Sequence, residues 1–318
     1  MNYGIDSDGH SSPALSGTVF ELAKNETMTN VLQLGVIDYE TALKLQQSLV
    51  ELRKQNRIAD TLLLLEHPPV ITLGRNSKPE NLRASTEELA ARGVQIFECN
   101  RGGDITFHGP GQLVGYPIFN LRAFTDEHGH RKTLGAVDFV RRMEEALIRT
   151  CGDLGIPTER IKGLTGVWTT VDSQQANSPR RRGGAEKNSA DQQAKIAAIG
   201  VHISRAVTSH GFALSVSNDL DYFNLIIPCG IPDKPVTSIK KEIREGRALR
   251  EGEIPTMQEV AHTIARNFGR VFKKQTLWLE SLEDLFASAS PPLPANQDTP
   301  ARPPRELEEL HGNRTFLA

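Results

Sequence analysis

The stretch Arg101-Gly102-Gly103-Asp104-Ile105-Thr106-Phe107-His108-Gly109-Pro110-Gly111-Gln112 runs directly into Leu113-Val114-Gly115-Tyr116-Pro117-Ile118-Phe119. Four glycines in the first twelve residues give the backbone access to positive φ and to close approach. Arg101 and His108 add hydrogen-bond donors and a proton that can move near neutral pH. The apolar run that follows reads as a core strand. The whole segment therefore reads as a loop, a short strand, a tight turn and a buried strand. Two readings of it stand side by side: a glycine-rich hairpin without a ligand, or one wall of a pocket.

Outward from this stretch, the N-terminal half alternates element types. Val31–Val36 reads as a strand. Asp38–Gln55 carries Ala42, Leu45, Leu49 and Leu52 at helical spacing. Residues 61–65 and 70–75 read as strands broken by Glu66-His67-Pro68-Pro69. Ser85-Thr86-Glu87-Glu88 has the pattern of a capping box opening a short helix that ends at Gly93, and 94–99 reads as a strand. On the other side, a helix is expected over 133–154 with Val137, Val140, Leu147, Cys151 and Leu154 on its apolar face. Strands are expected at 163–171, carrying Trp168, and at 195–203 and 211–216. Ile226-Ile227 reads as a strand running into Pro228-Cys229-Gly230. Thr256-Met257-Gln258-Glu259 opens a helix to about 273 with Val260, Ile264, Val271 and Phe272 inward. Residues 172–193 are rich in Ser, Gln, Asn, Arg and Gly without period and read as a loop insertion. Residues 1–28 and 287–318 read as disordered extensions. The expectation is a single α+β (mixed α/β) domain over 30–280.

Composition narrows the function classes. The chain has 318 residues, 38% hydrophobic and 24% charged, with a formal net charge of −2. That balance gives no reason to expect a nucleic-acid binder. Three widely spaced cysteines form neither a disulfide framework nor a zinc pattern. No apolar run of membrane-spanning length occurs, and residues 1–28 lack the apolar core of a signal peptide. A cytoplasmic protein with reduced thiols is expected.

Among residues that carry chemistry, Cys229 stands beside a glycine where backbone room would suit a nucleophile receiving an acyl group. A buried, inert thiol is the alternative. Cys151, on a helix face, and Cys99, at a strand end, read as core. Lys195 precedes the apolar run Ile196–Val201. It is either a strand end with its amine in solvent or a cation held beside a thiol. His108 and His210 each precede glycine and could face a ligand or be structural. His67 reads as a turn residue. No metal-ligand spacing and no phosphate-binding glycine loop are present.

Taken together, these segments resemble the lipoyl(octanoyl) transferase family. The likeness rests on Glu66 through Arg75, Arg101 through Gln112, Gly166-Val167-Trp168, Lys195 through Gly200, His210 through Leu214 and Ile227-Pro228-Cys229-Gly230, in that order. The resemblance implies a fold similar to the catalytic domain of biotin and lipoate protein ligases, a mixed sheet flanked by helices. It implies octanoyl transfer from octanoyl-acyl carrier protein to lysines on the lipoyl domains of 2-oxoacid dehydrogenases and on the glycine cleavage H protein, with no metal and no cofactor. It implies that Cys229 is the acyl-thioester nucleophile and that Lys195 lowers its pKa and moves protons. It places Arg101, Gly102, Gly103, Asp104, Ile105, Thr106, Phe107 and His108, then Ala198, Ile199 and Gly200, then His210, Gly211 and Phe212, along the substrate pocket. Phe107 stands where the family usually has tyrosine, Ser215 where it has asparagine, and Thr165 where proline or arginine is usual. An ATP-dependent lipoate or biotin ligase on the same fold, a carrier-protein binding module and an amidotransferase between protein lysines remain as alternatives. An adenylating enzyme needs no thiol at position 229.

Overall fold

The structure, a computed structural model, describes residues 27–125, 128, 130–170, 193–246, 248 and 253–289. Apart from residues 27, 28, 193 and 287–289, the expected extensions and insertion lie outside the described residues. The first half comprises β1 (Met28–Val36), α1 (Tyr39–Lys54), β2 (Asp60–Glu66), β3 (Val70–Leu73), α2 (Thr86–Ala91), β4 (Gln95–Glu98), β5 (Thr106–His108) and β6 (Gln112–Ile118). Then come α3 (Ala136–Asp153), β7 (Thr158–Ile161), β8 (Leu164–Thr169), β9 (Lys195–Ser204), β10 (Val207–Ser215), α4 (Ile239–Arg244), α5 (Met257–Phe272), β11 (Gln275–Trp278) and α6 (Leu282–Ala287).

The strands form two sheets. The larger has eight strands in the order β11-β1-β2-β6-β10-β9-β8-β7, and the smaller has the order β4-β3-β5. Pairing in the larger sheet is parallel across β11-β1-β2 and antiparallel from there to β7. The mixed α/β expectation therefore holds. The larger sheet is covered on both faces, so β2 reads as unbroken leucine rather than as alternation. Leu62 and Leu64 join the cluster under α3 and α5, which includes Phe119, Phe139, Phe268 and Phe272. Leu63 and Leu65 pack with Ala42, Leu45 and Leu49 of α1 on the opposite face. The smaller sheet has its own cluster of Ile71, Leu89, Val94, Ile105, Phe107, Phe223, Leu225 and Ile226.

The Arg101–Phe119 stretch is not a hairpin. β5 pairs with β3 in the smaller sheet, and β6 pairs with β2 and β10 in the larger one. The turn Gly109-Pro110-Gly111 carries the chain from one sheet to the other. Gly111 has φ +83°, and its carbonyl accepts the N–H groups of Val216, Ser217 and Asn218. Its own N–H donates to the Glu66 carboxylate at 2.6 Å.

Other boundaries shift for local reasons. α3 begins at Ala136, and Val137 is 71% exposed because it lies two residues, and so about 200°, from the buried Phe139. Ser85 caps α2 through the Glu88 N–H, with no reciprocal bond from Glu88 to its own amide. In α5, Phe268 is buried where Val271 is half-buried. Ile226-Ile227 is not a strand. A 3-10 turn over Leu220–Leu225 precedes it, and Ile226 makes a single bridge to Leu82 while its side chain fills the smaller core.

Candidate active site

Cys229 sits in a 3-10 turn, Pro228–Gly230, with φ 57° and ψ 18°. A non-glycine residue in this left-handed region costs about 1–2 kcal/mol, so surrounding contacts must hold it there. The Cys229 N–H donates to the Ile105 carbonyl at 2.9 Å, and the Ile227 N–H to the Asn81 carbonyl at 2.7 Å. Asn81 Nδ2 donates to Asp104 Oδ2 at 2.7 Å, and the Ile105 N–H to Asp104 Oδ1 at 2.6 Å. Gly230 has φ +67°, and a Cβ there would lie 2.6 Å from Asp104 Oδ2. The glycine loop thus fastens the thiol-bearing turn to the smaller sheet.

Lys195 opens β9 and is 8% exposed. Its N–H donates to the Pro235 carbonyl at 2.8 Å, and its carbonyl accepts the Thr237 N–H at 2.9 Å. Its Nζ lies 4.7 Å from the centre of the Trp168 ring, a cation–π contact that explains how a lysine sits so deep. Gly166, with φ +123°, backs the side chain: a Cβ there would meet the Ala197 carbonyl at 2.6 Å and Lys195 Cε at 3.4 Å. The Gly166 N–H is held by the fully buried Glu144 at 3.2 Å, and Glu144 is itself paired with Arg141 and Arg160.

Cys229 and Lys195 meet in a cavity of about 300 Å³. Its wall also includes Arg101, Gly103, Asp104, Thr106, His108, Ala198, Ile199, Gly200, His210, Gly211 and Phe212. Gly102, Ile105 and Phe107 are not in that wall. The Gly102 N–H is spent on the Val201 carbonyl at 2.9 Å. Ile105 is core and contributes its carbonyl to Cys229. Phe107 alternates away from Thr106 and His108 along β5 and stacks on Tyr222 at 4.8 Å, so a tyrosine hydroxyl there would point away from the cavity. Lining residues that the sequence reading missed include Tyr39, Val114, Tyr116, Thr165 and Ile231. Val114 and Tyr116 share one strand face, a period-two signal that could have placed them beside His108.

The polar groups are held in fixed states. Arg101 is 8% exposed and donates to the Thr72 hydroxyl and carbonyl and to the Gly102 carbonyl. Burial, and next the neighbouring His67, lowers His108 to about 3. Burial, and next Arg101, lowers His210 to about 3. Both rings are neutral at neutral pH. His108 Nδ1 pairs with Gln112 Oε1 at 2.8 Å and His210 Nε2 with Asn100 Oδ1 at 2.7 Å. His210 has φ 54°, and its N–H is held by Gln46 Oε1 at 2.7 Å. His67 is no turn residue. It is fully buried and lowered to about 4 by burial, with Nδ1 donating to the Ile37 carbonyl at 2.6 Å and Nε2 paired with the Tyr116 hydroxyl at 2.7 Å. A carbonyl only accepts, so Nε2 carries the lone pair and Tyr116 donates to it. Of the other thiols, Cys151 is core, and burial pushes it up to about 12. Cys99 is half-buried and bonded to the Leu73 carbonyl at 3.4 Å.

Residues 38–269 match the lipoyl protein ligase A/B catalytic domain family. An octanoyltransferase of Koribacter versatilis is 57% identical over 290 residues, covering 91% of this chain and all of that protein. An octanoyltransferase of Acidobacterium capsulatum is 57% identical over 257 residues, covering 81% of this chain and 95% of its own. Among solved structures, a T. acidophilum lipoate protein ligase homologue with bound lipoic acid has a TM-score of 0.56 at 12% identity, covering 82% of this chain and 92% of that one. Lipoate-protein ligase A bound with ATP has a TM-score of 0.53 at 14% identity, covering 82% and 92%. At those identities the solved structures establish a shared fold.

Proposed function

As the chain belongs to the lipoyl protein ligase A/B catalytic domain family and is an octanoyltransferase of protein lipoylation, we propose that Cys229 carries the octanoyl group as a thioester and that Lys195 manages its charge and protons. The observation behind this is that both side chains, one from a strand of the larger sheet and one from a turn fastened beside the smaller sheet, line one cavity whose size sits at the lower end for ligand sites, about 300 Å³.

A cation beside the sulfur stabilises the thiolate, the nucleophilic form of cysteine. The thiolate attacks the donor thioester: a new C–S bond forms, the old one breaks, and the departing donor thiolate takes a proton from Lys195. The acyl-enzyme then holds a neutral thioester and a neutral Lys195 amine. That amine takes one proton from the acceptor lysine, whose nitrogen attacks the carbonyl. The C–N bond forms, the C–S bond breaks, Cys229 leaves as thiolate beside the recharged Lys195, and the second amine proton goes to solvent. A thioester is exchanged for an amide, so the sequence needs no ATP. Octanoyl-acyl carrier protein is the donor, and the lipoyl domains of 2-oxoacid dehydrogenases and the glycine cleavage H protein are the acceptors. The reaction belongs to the cytoplasm, where the thiols stay reduced; among the described residues no helix is long and apolar enough to cross a membrane.

Incubation with octanoyl-acyl carrier protein without ATP, followed by intact mass, tests the assignment. One octanoyl adduct is expected on the wild type and none on Cys229→Ala. An adduct that persists in the variant, or that forms only with ATP, overturns it.

A further inference from the structure

Three charged side chains line the cavity: Arg101, Lys195 and Asp104. The acceptor is a lysine side chain, which arrives as a cation. In the acyl-enzyme Lys195 is the neutral amine, Arg101 repels the incoming ammonium, and Asp104 is the one carboxylate among the described lining residues. Asp104 is also the lining charge fixed beside the nucleophile's turn. Its Oδ2 occupies the space that a side chain at Gly230 would need. Each carboxylate oxygen takes one donor, from Ile105 N–H and from Asn81 Nδ2, and each has a second lone pair to offer. Asp104 is half-buried, like Cys229, whereas Arg101 and His108 lie in the buried part of the wall.

We propose that Asp104 is the acceptor-lysine site: its carboxylate receives the incoming ammonium and holds it beside the Cys229 thioester while Lys195 takes the proton. This rests on Cys229 being the acylated residue. It assigns Asp104 to the second half-reaction alone, because the donor brings a thioester and no amine to the sulfur.

Asp104→Asn separates the halves. Three single-turnover rates are compared with wild type by intact mass: octanoyl loading from octanoyl-acyl carrier protein, discharge of the acyl-enzyme to a lipoyl domain, and discharge to hydroxylamine, which is uncharged at neutral pH. Asparagine keeps only one of the two acceptor oxygens that hold Asn81 and Ile105 beside the Cys229 turn, a cost that all three rates share. Loss of a hydrogen bond to a charged group predicts that the ratio of lipoyl-domain discharge to hydroxylamine discharge falls about tenfold to hundredfold further. Asp104→Glu is expected to recover part of the lipoyl-domain rate. If all three rates fall by the same factor, Asp104 merely positions the loop and the proposal is overturned; unchanged discharge to the lipoyl domain overturns it as well. Failure of wild-type Cys229 to load at all removes instead the assignment on which the proposal stands.

Discussion

Replacing Gly111 by alanine should cost far more than the same change at Gly93, although both glycines have positive φ, +83° and +63°. At Gly93 a Cβ meets nothing within 4 Å. Only the left-handed backbone penalty applies there, about 1–2 kcal/mol, offset by about 0.4–1 kcal/mol from a stiffer unfolded chain. The net cost is about 0–1.5 kcal/mol. At Gly111 a Cβ would lie 2.6 Å from Asn218 N, 2.9 Å from Asn218 Cα and 2.9 Å from Ser217 C. All three are backbone atoms that cannot rotate aside. Relief requires moving residues 216–218 off the Gly111 carbonyl, which accepts three N–H groups from them at 2.8–3.2 Å. At about 1 kcal/mol per bond, the total reaches about 3–5 kcal/mol. Urea unfolding followed by circular dichroism gives both values. Octanoyl loading should also fall in Gly111→Ala, because residue 218 begins the segment that leads to Cys229. Equal destabilisation of the two variants would refute the account of how the sheets are joined.

Acid should destabilise the fold through His67, His108 and His210. Their folded values, about 4, 3 and 3, lie below the unfolded value of about 6.5. The unfolded chain therefore binds more protons as pH falls below that value, and stability drops by about 1.4 kcal/mol per pH unit for each such histidine. Urea midpoints from pH 7.5 to 4.5 should show a slope shallower by about that amount in His108→Gln; parallel slopes would contradict it. Trp168→Leu removes the ring beneath Lys195. A cation–π contact of about 0.5–2 kcal/mol predicts octanoyl loading slowed about twofold to thirtyfold, with Trp168→Phe closer to wild type. Equal loading by all three proteins would show that the ring does not hold the ammonium.

Much of the fold was legible because its signals are local. The helical spacing of Ala42, Leu45 and Leu49, the Thr256–Glu259 capping box, which forms fully, and the glycines around β5 and β6 all mark elements without knowledge of their neighbours. The split of β5 and β6 between two sheets was not legible, because a Gly-Pro-Gly turn serves a hairpin or a crossover equally well. Ile226-Ile227 misled for a related reason: a β-branched residue such as Ile226 is also what a packed loop uses to fill a small core. For the candidate site, motif order drew attention to Cys229 and Lys195. Tyr39 and Tyr116 escaped it, since each looks like an ordinary aromatic on an apolar face until the fold turns that face toward a cavity. The buried state of His67 depends on Ile37 and Tyr116, neither adjacent in sequence.

The division of the site between two separately cored layers has a spectroscopic consequence. Cys229 is fastened to the smaller sheet through Ile105 and Asn81, while Lys195 is a strand residue of the larger one. The chain has two tryptophans, and both Trp168 and Trp278 belong to strands of the larger sheet. Tryptophan fluorescence, excited at a wavelength where tyrosine does not absorb, therefore watches the layer that holds the amine and is blind to the layer that holds the thiol. If the smaller layer loosens first under heat or denaturant, the enzyme stops turning over while its emission spectrum still reports a native protein.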